Sequence, residues 1–221
     1  MKRILEPEVM DTWEEAAEYD AMDFVEVNKA FAQKALEIGP KNGLILDAGT
    51  GTARIPIFIC QERLEWQIIG IDLSQNMLII GNKNIKEVGL EDRIKLELVD
   101  AKNLPYPDNN FDAVISNSIV HHLPDPLPFW REVKRVLKPG GGIFIRDLLR
   151  PENEEITEVF VNKYAADCNE RQRGLFRDSL KAAFTVDEVT ETIENVGLEK
   201  VTVYQSSDRH WTAERVANIS G

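Results

Sequence analysis

At 221 residues, with 43% hydrophobic and 29% charged side chains, the chain is long enough for one sizeable core and reads as a single soluble domain with appended helices. A formal charge of -12 makes nucleic acid an unfavoured partner, because a duplex or long RNA needs a basic stripe to replace its counterions. The two cysteines, Cys60 and Cys168, have no C-x-x-C spacing, and no apolar run reaches the length of a signal peptide or a membrane span; no metal ligands are therefore assigned, and a cytoplasmic location is expected.

From Met10 to Ile38 the text is helical, with Phe24, Val27, Phe31, Ala35 and Ile38 at three- and four-residue spacing and Gly39-Pro40 as the stop. Residues 1–40 thus form a helical cap that can pack on a sheet or lie over its ligand edge. Trp13, Tyr19 and Met22 read first as packing residues.

The stretch from Leu44 to Arg54, LILDAGTGTAR, organises the rest. Leu44 to Leu46 form an apolar run without polar alternation, as in a parallel strand covered on both faces. Gly49 and Gly51 permit a tight turn with close approach to the main chain, and Thr52 is the expected N-cap of a helix from Ile55 to Cys60. Strand, glycine turn and helix N-terminus make the first crossover of a nucleotide-binding α/β sheet. The dinucleotide fingerprint fails at Arg54, where its third small residue would fall, and Asp47 would repel a pyrophosphate while favouring a cationic ligand. S-adenosylmethionine, a nucleoside with an ammonium and a sulfonium and no phosphate, fits that loop; NAD and ATP do not.

A second strand, Trp66 to Leu73, ends in Asp72, placed to accept hydrogen bonds from ribose hydroxyls, and Ser74 caps a helix whose apolar face includes Met77. A third strand, Ile94 to Val99, is followed by Asp100 and Ala101. Asp47, Asp72 and Asp100 therefore line the carboxyl edge of one sheet, where open α/β folds bind ligands. After a proline-marked loop come a strand from Ala113 to Ser116, the segment Asn117 to Leu123, a helix through Leu127, Trp130, Val133 and Leu137 that stops at Lys138-Pro139, and a strand from Ile143 to Ile145.

In order and spacing, DAGTG, GIDLS, LVDAKNLPYPDNNFDAVISNSIVHHL and REVKRVLKPGGGIFI resemble the successive motifs of class I S-adenosylmethionine-dependent methyltransferases, over Leu44 to Arg146. The resemblance implies an α/β, three-layer Rossmann-like sandwich with a seven-stranded, mostly parallel sheet in the order 3-2-1-4-5-7-6 and strand 7 antiparallel. It also implies that Asp47, Gly49 and Gly51 surround the methionine moiety, that Asp72 holds the ribose, that Asp100 and Ala101 meet the adenine, and that Asn117 lies beside the methionine part. Leu73, Met77 and Tyr19 complete the cofactor-binding candidates, with S-adenosylhomocysteine as product.

Residues 151–184 read as charged helices on the ligand side of the sheet and are a candidate substrate lid. Thr185 opens a further helix to Val196, and strands are expected at Val201 to Tyr204 and His210 to Val216. Methyl transfer from a sulfonium needs alignment and exclusion of water, and a base only when the acceptor must lose a proton. His210 and His121 are the candidate catalytic bases, although the resemblance implies that the segment holding His121 and His122 serves helix placement more readily than catalysis. Arg146, Asp147, Arg150, Asp208 and Arg209 are candidates for holding the acceptor. The expected function is methylation of a small-molecule acceptor. The alternatives are a non-catalytic cofactor-binding regulator, or a methyltransferase acting on protein or tRNA. An NAD-dependent oxidoreductase is opposed by Asp47 and Arg54.

Overall fold

The computed structural model describes residues 1–6, 12–22 and 24–218. Seven strands form one sheet: β1 (Gly43–Ala48), β2 (Trp66–Asp72), β3 (Ile94–Leu98), β4 (Phe111–Asn117), β5 (Leu137–Leu148), β6 (Thr202–Ser207) and β7 (His210–Arg215), in the order β3-β2-β1-β4-β5-β7-β6. The first five run parallel and β7 is antiparallel to both its neighbours, as the sequence motifs imply.

Side chains of the central strands alternate between two buried faces. Leu46, Val114 and Ile145 face a layer holding Trp130 and Val133 of α5 (Leu127–Val136) and Ile193 of α8 (Val186–Val196). Ile45, Ile68 and Phe144 face Phe31 of α2 (Val25–Ile38), Ile59 of α3 (Arg54–Glu62) and Ile85 of α4 (Gln75–Glu87). Burial on both faces is what removes polar alternation from β1 and β4. At the sheet edge, β3 leaves Leu98 exposed.

Three local expectations are corrected. The N-terminal helical text breaks into α1 (Trp13–Asp20), opened by a reciprocal Thr12–Glu15 capping box, and α2; the expected start at Met10 lies outside the described residues. Thr52 does not cap α3. The cap is Ala53 in the left-handed region (φ 61°), with no side-chain bond to the helix, because the preceding turn must deliver the chain at a sharp angle. The Lys138-Pro139-Gly140 segment belongs to a long β5, whose pairing with β4 is irregular between Phe111 and Ala113.

The expected insertion is two helices, α6 (Glu154–Tyr164) and α7 (Glu170–Ala182). They close a small apolar cluster of Val161, Leu180 and Ala183 over Leu148 at the end of β5. At the other side of the carboxyl edge, α1 packs on α4 through Ala16, Met77 and Ile80, with Tyr19 against them. Among the described residues no helix is long and apolar enough to cross a membrane.

Candidate functional site

The turn after β1 is built by backbone bonds before any ligand is considered. Gly49 and Thr50 both donate to the Ile71 carbonyl at 2.9 Å, which ties the turn to β2. Gly49 has φ +74°, and a Cβ there would overlap Ile119, so glycine is required on both counts. The amide of Gly51 donates to Asp72 Oδ2, and that of Ser74 to Asp72 Oδ1, each at 2.9 Å. Asp72 thus organises both the glycine turn and the start of α4, where Ser74 Oγ accepts from Met77 N at 3.2 Å. Burial nevertheless raises the Asp72 carboxyl above its usual range, against the backbone amides that favour its ionised form.

Beside the turn lies a cavity of about 240 Å³ whose lining includes Tyr19, Phe24, Asp47, Gly49, Thr50, Phe58 and Asn117. Asp47 is 2% exposed, and its Oδ2 accepts no hydrogen bond among the described residues. Burial, reinforced by the charge of Asp72, pushes its carboxyl up to about 7, although the Thr50 hydroxyl opposes the shift. Tyr19 covers Gly51, and burial with the nearby Asp72, Asp47 and Asp20 pushes its phenol up to about 12, so it is a neutral donor.

The cap is fixed in place by a contact that spacing along the chain does not reveal. Arg54, at the start of α3, donates Nε to Asp20 Oδ1 at 2.9 Å and Nη2 to Asp20 Oδ2 at 2.7 Å, and Asn84 Nδ2 reaches Asp20 Oδ1 at 3.1 Å. A forked guanidinium thereby clamps the end of α1 over the cavity.

The remaining cofactor candidates stand differently. Met77 is buried under α1, whereas Leu73 is exposed. Asp100 Oδ1 accepts from the Lys102 amide at 2.8 Å, and Ala101 is in the main core; with Leu73 they continue the edge toward β3, outside the cavity lining.

On the opposite side, Asn117 Oδ1 accepts from Arg146 Nε at 3.2 Å, and Arg146 in turn stands among groups of the β6–β7 hairpin. His210 opens β7 with Nδ1 2.9 Å from Ser207 Oγ. Burial, then the positive charges of Arg146 and Arg209, push its imidazole down to about 4, so it is neutral across the physiological range. Arg209 stacks on the Tyr164 ring at 3.6 Å, and Asp208 Oδ2 accepts from Tyr164 Oη at 2.5 Å and Lys163 Nζ at 2.8 Å. Asp208, a candidate for holding the acceptor, latches α6 to the hairpin.

Three expected site residues lie away from the cavity lining, in structural contacts. Asp147 is wholly buried and accepts from Val120 N at 2.5 Å, His121 N at 3.1 Å and Leu148 N at 2.6 Å, which leaves it no exposure to an acceptor. His121 is 4% exposed, with Nδ1 2.5 Å from Asp147 Oδ1, and takes no part in the cavity lining. Arg150 Nη2 bonds Glu188 Oε1 at 2.6 Å and Nη1 the Ala183 carbonyl at 3.2 Å, which joins α8 to the end of α7.

Comparison with known proteins bears on the fold and on one segment of the sequence. Residues 46–145 match the methyltransferase domain family. A demethylmenaquinone methyltransferase of Bacteroides fragilis is 33% identical over 116 residues, covering 52% of this chain and 47% of the relative; the chain spans about half the length of the curated relatives it matches. Among solved structures, a Methanococcus maripaludis protein assigned to the S-adenosyl-L-methionine-dependent methyltransferases superposes with TM-score 0.73 at 21% identity, covering 97% of this chain and 98% of that one. The [4+2]-cyclase SpnF superposes with TM-score 0.62 at 24% identity, covering 92% and 64%. At these identities the structural matches speak for the fold, and the sequence match for the segment it covers. Residues 46–145 thus match the methyltransferase domain model, and the whole chain shares the fold of these solved structures, with its seven strands in the order β3-β2-β1-β4-β5-β7-β6.

Proposed function

We propose that this chain binds S-adenosylmethionine and transfers its methyl group to a small, anionic acceptor. The observation that carries the reading is Asp47: a carboxylate sealed from water, with one oxygen lacking a hydrogen-bond partner, at the wall of a cavity beside a glycine turn. An orphaned buried carboxylate oxygen is costly unless a cation meets it, and the ammonium of S-adenosylmethionine supplies one. Asp72 keeps acceptor capacity for ribose hydroxyls beyond its two backbone bonds.

The bound cofactor would supply an activated methyl group on a sulfonium, so the chain's own task is positioning. Tyr19 and the α1 cap exclude water, Asp47 and Asn117 at the cavity wall orient the amino-acid part, and Asp72, outside the cavity lining but bonded to Gly51, orients the nucleoside. Arg146 and Arg209, close enough that the charge of Arg209 adds to burial in disfavouring that of Arg146, provide a cationic wall on the acceptor side. A carboxylate, phosphate or enolate acceptor would relieve that repulsion. His210, held neutral by burial and the two arginines, is suited to accept a hydrogen bond from an acceptor hydroxyl, and the same surroundings oppose its acting as the base.

The acidity of the chain favours a small molecule over tRNA. The acceptor named for the curated relatives, demethylmenaquinone, is also a small molecule. The expected cytoplasmic location is part of the proposal. The test is formation of S-adenosylhomocysteine over a panel of paired anionic and neutral acceptors. Turnover with anionic members is expected; turnover confined to neutral or macromolecular acceptors would contradict the reading.

A further inference from the structure

Residues 1–6 are strapped across the fold by a dense set of polar contacts. The N-terminal ammonium donates to the Glu152 carbonyl at 2.7 Å, and Ile4 N to that of Lys181 at 3.0 Å. Arg3 donates to the carbonyls of Ala182 (2.6 Å), Pro124 (3.0 Å), His121 (2.9 Å) and Leu123 (2.7 Å), with its guanidinium 3.8 Å from the Phe184 ring centroid. The strap delivers Glu6 to the 3₁₀ turn Val120–His122 that follows β4.

There, Glu6 Oε2 is anchored by Ser179 Oγ at 3.2 Å, and Oε1 lies 3.3 Å from His121 Nε2 and 3.1 Å from His122 Nδ1. The Glu6 side chain is 7% exposed, and Oε1 accepts no hydrogen bond of sound geometry among the described residues. Asp147 defines what faces it. Already accepting three backbone amides, Asp147 also lies 2.5 Å from His121 Nδ1 through Oδ1, which fixes the ring so that Nε2 faces Glu6. A buried carboxylate oxygen without a hydrogen bond, faced by two imidazole nitrogens, is a donor set that a cation would satisfy.

The spacing distinguishes which cation. Charge-assisted hydrogen bonds close to about 2.7–2.9 Å, shorter than either separation. Ligands at about 2.0–2.1 Å from a tetrahedral zinc ion stand roughly 3.3 Å from one another, close to the 3.3 and 3.1 Å that separate Oε1 from the two imidazole nitrogens, and all three atoms lie within 4.8 Å of one another. The rings of His121 and His122 lie 4.1 Å apart and 36° from parallel, so both nitrogens reach the same oxygen. We propose that Glu6, His121 and His122 form a site for one divalent transition-metal ion of the zinc class, bound through Oε1, Nε2 and Nδ1, with Asp147 as the residue that orients His121. Two imidazoles and one carboxylate select zinc, cobalt or ferrous ion over magnesium and calcium. Three protein ligands leave a coordination position open, and His122, 23% exposed, is the side from which an ion would arrive. The site is distinct from the cofactor cavity, whose lining contains none of the three ligands.

The test uses the full chain, freed of metal with EDTA, dialysed and titrated by calorimetry with zinc chloride and, separately, cobalt chloride and magnesium chloride. One equivalent of zinc is expected to bind and to raise the unfolding temperature, cobalt to give the intense visible bands of tetrahedral coordination, and magnesium to do neither. Glu6→Gln and His122→Asn are each expected to weaken zinc binding by about tenfold or more and to remove the cobalt bands. Circular dichroism in EDTA identifies which variants fold, and the half-buried His122→Asn serves if Glu6→Gln does not. Failure of the parent chain to bind one equivalent of zinc, or an unchanged affinity in a folded variant, would overturn the proposal and leave a protonated histidine as the cation between Glu6 and Asp147. Both readouts are independent of methyl transfer.

Discussion

Asp47 and Asp72, on neighbouring parallel strands, interact through the ligand edge, and the charge of Asp72 adds to burial in keeping a proton on Asp47 up to about pH 7. Binding of a cationic cofactor requires the ionised form, so it must release that proton when the pH is below about 7. The affinity for S-adenosylmethionine is therefore expected to fall as pH drops, by about tenfold per unit in the limit of one linked proton. Calorimetry in buffers of different ionisation enthalpy reads the proton directly, and a pH-independent affinity between 5 and 8 would contradict it.

The same carboxyl has a cost in stability. A group whose pKa is raised on folding contributes stability below its unfolded value, near 3.8, and loses it as pH rises through about 7. Asp47→Asn is therefore expected to stabilise the empty protein at pH 8 by roughly 1–4 kcal/mol while abolishing cofactor binding. Denaturant unfolding of both forms at pH 5 and pH 8 checks the sign, since the gain must shrink at the lower pH.

Asp72 has two tasks, so its replacements should differ. Asp72→Ala removes the acceptor for both Gly51 N and Ser74 N as well as that for the ribose. It should weaken cofactor binding by roughly 1.5–3 kcal/mol and also lower the melting temperature. Asp72→Asn retains one carbonyl acceptor and is expected to keep more of the stability than of the binding.

Asp20 and Arg54 hold the α1 cap closed, against a burial cost that Arg54, Thr52 and Asn84 outweigh in keeping Asp20 ionised. With Arg54 nearly half exposed, Asp20→Ala should cost only about 1 kcal/mol of stability. Hydrogen exchange in Trp13–Asp20 should nevertheless rise, and cofactor affinity fall several-fold. Unchanged exchange would show that packing of Ala16 on α4 holds the cap alone.

If the acceptor is anionic, Arg209→Ala should raise its KM by about 10- to 100-fold, the equivalent of losing one charged hydrogen bond. Cofactor affinity should not change, because Arg209 is absent from the cavity lining. Equal losses in both constants would place Arg209 in the stability of the α6–hairpin latch instead.

Much of the fold was legible because its signals are local. The apolar runs of β1 and β4, the glycine turn and the three strand-end acids identify a parallel sheet and its ligand edge without any long-range contact. The long-range pairings were not legible. Nothing in spacing links Asp20 to Arg54, Tyr19 to Gly51, or Glu6 to His121, since each depends on how a segment lies on the finished sheet. Asp147 shows the converse: its position at a strand end suggested exposure to ligand, yet the side chain turns inward to organise the turn after β4. A period-two strand reverses the face of every second residue, so strand-end acids cannot all share one fate.

The most direct test of the central claim is calorimetric titration of the purified chain with S-adenosylmethionine, S-adenosylhomocysteine and NADH. Saturable binding of the two adenosyl compounds, with NADH silent and Asp47→Asn silent to all three, is the predicted result. Binding of NADH in their place would contradict the role given to Asp47 and, with it, the assignment of the cleft.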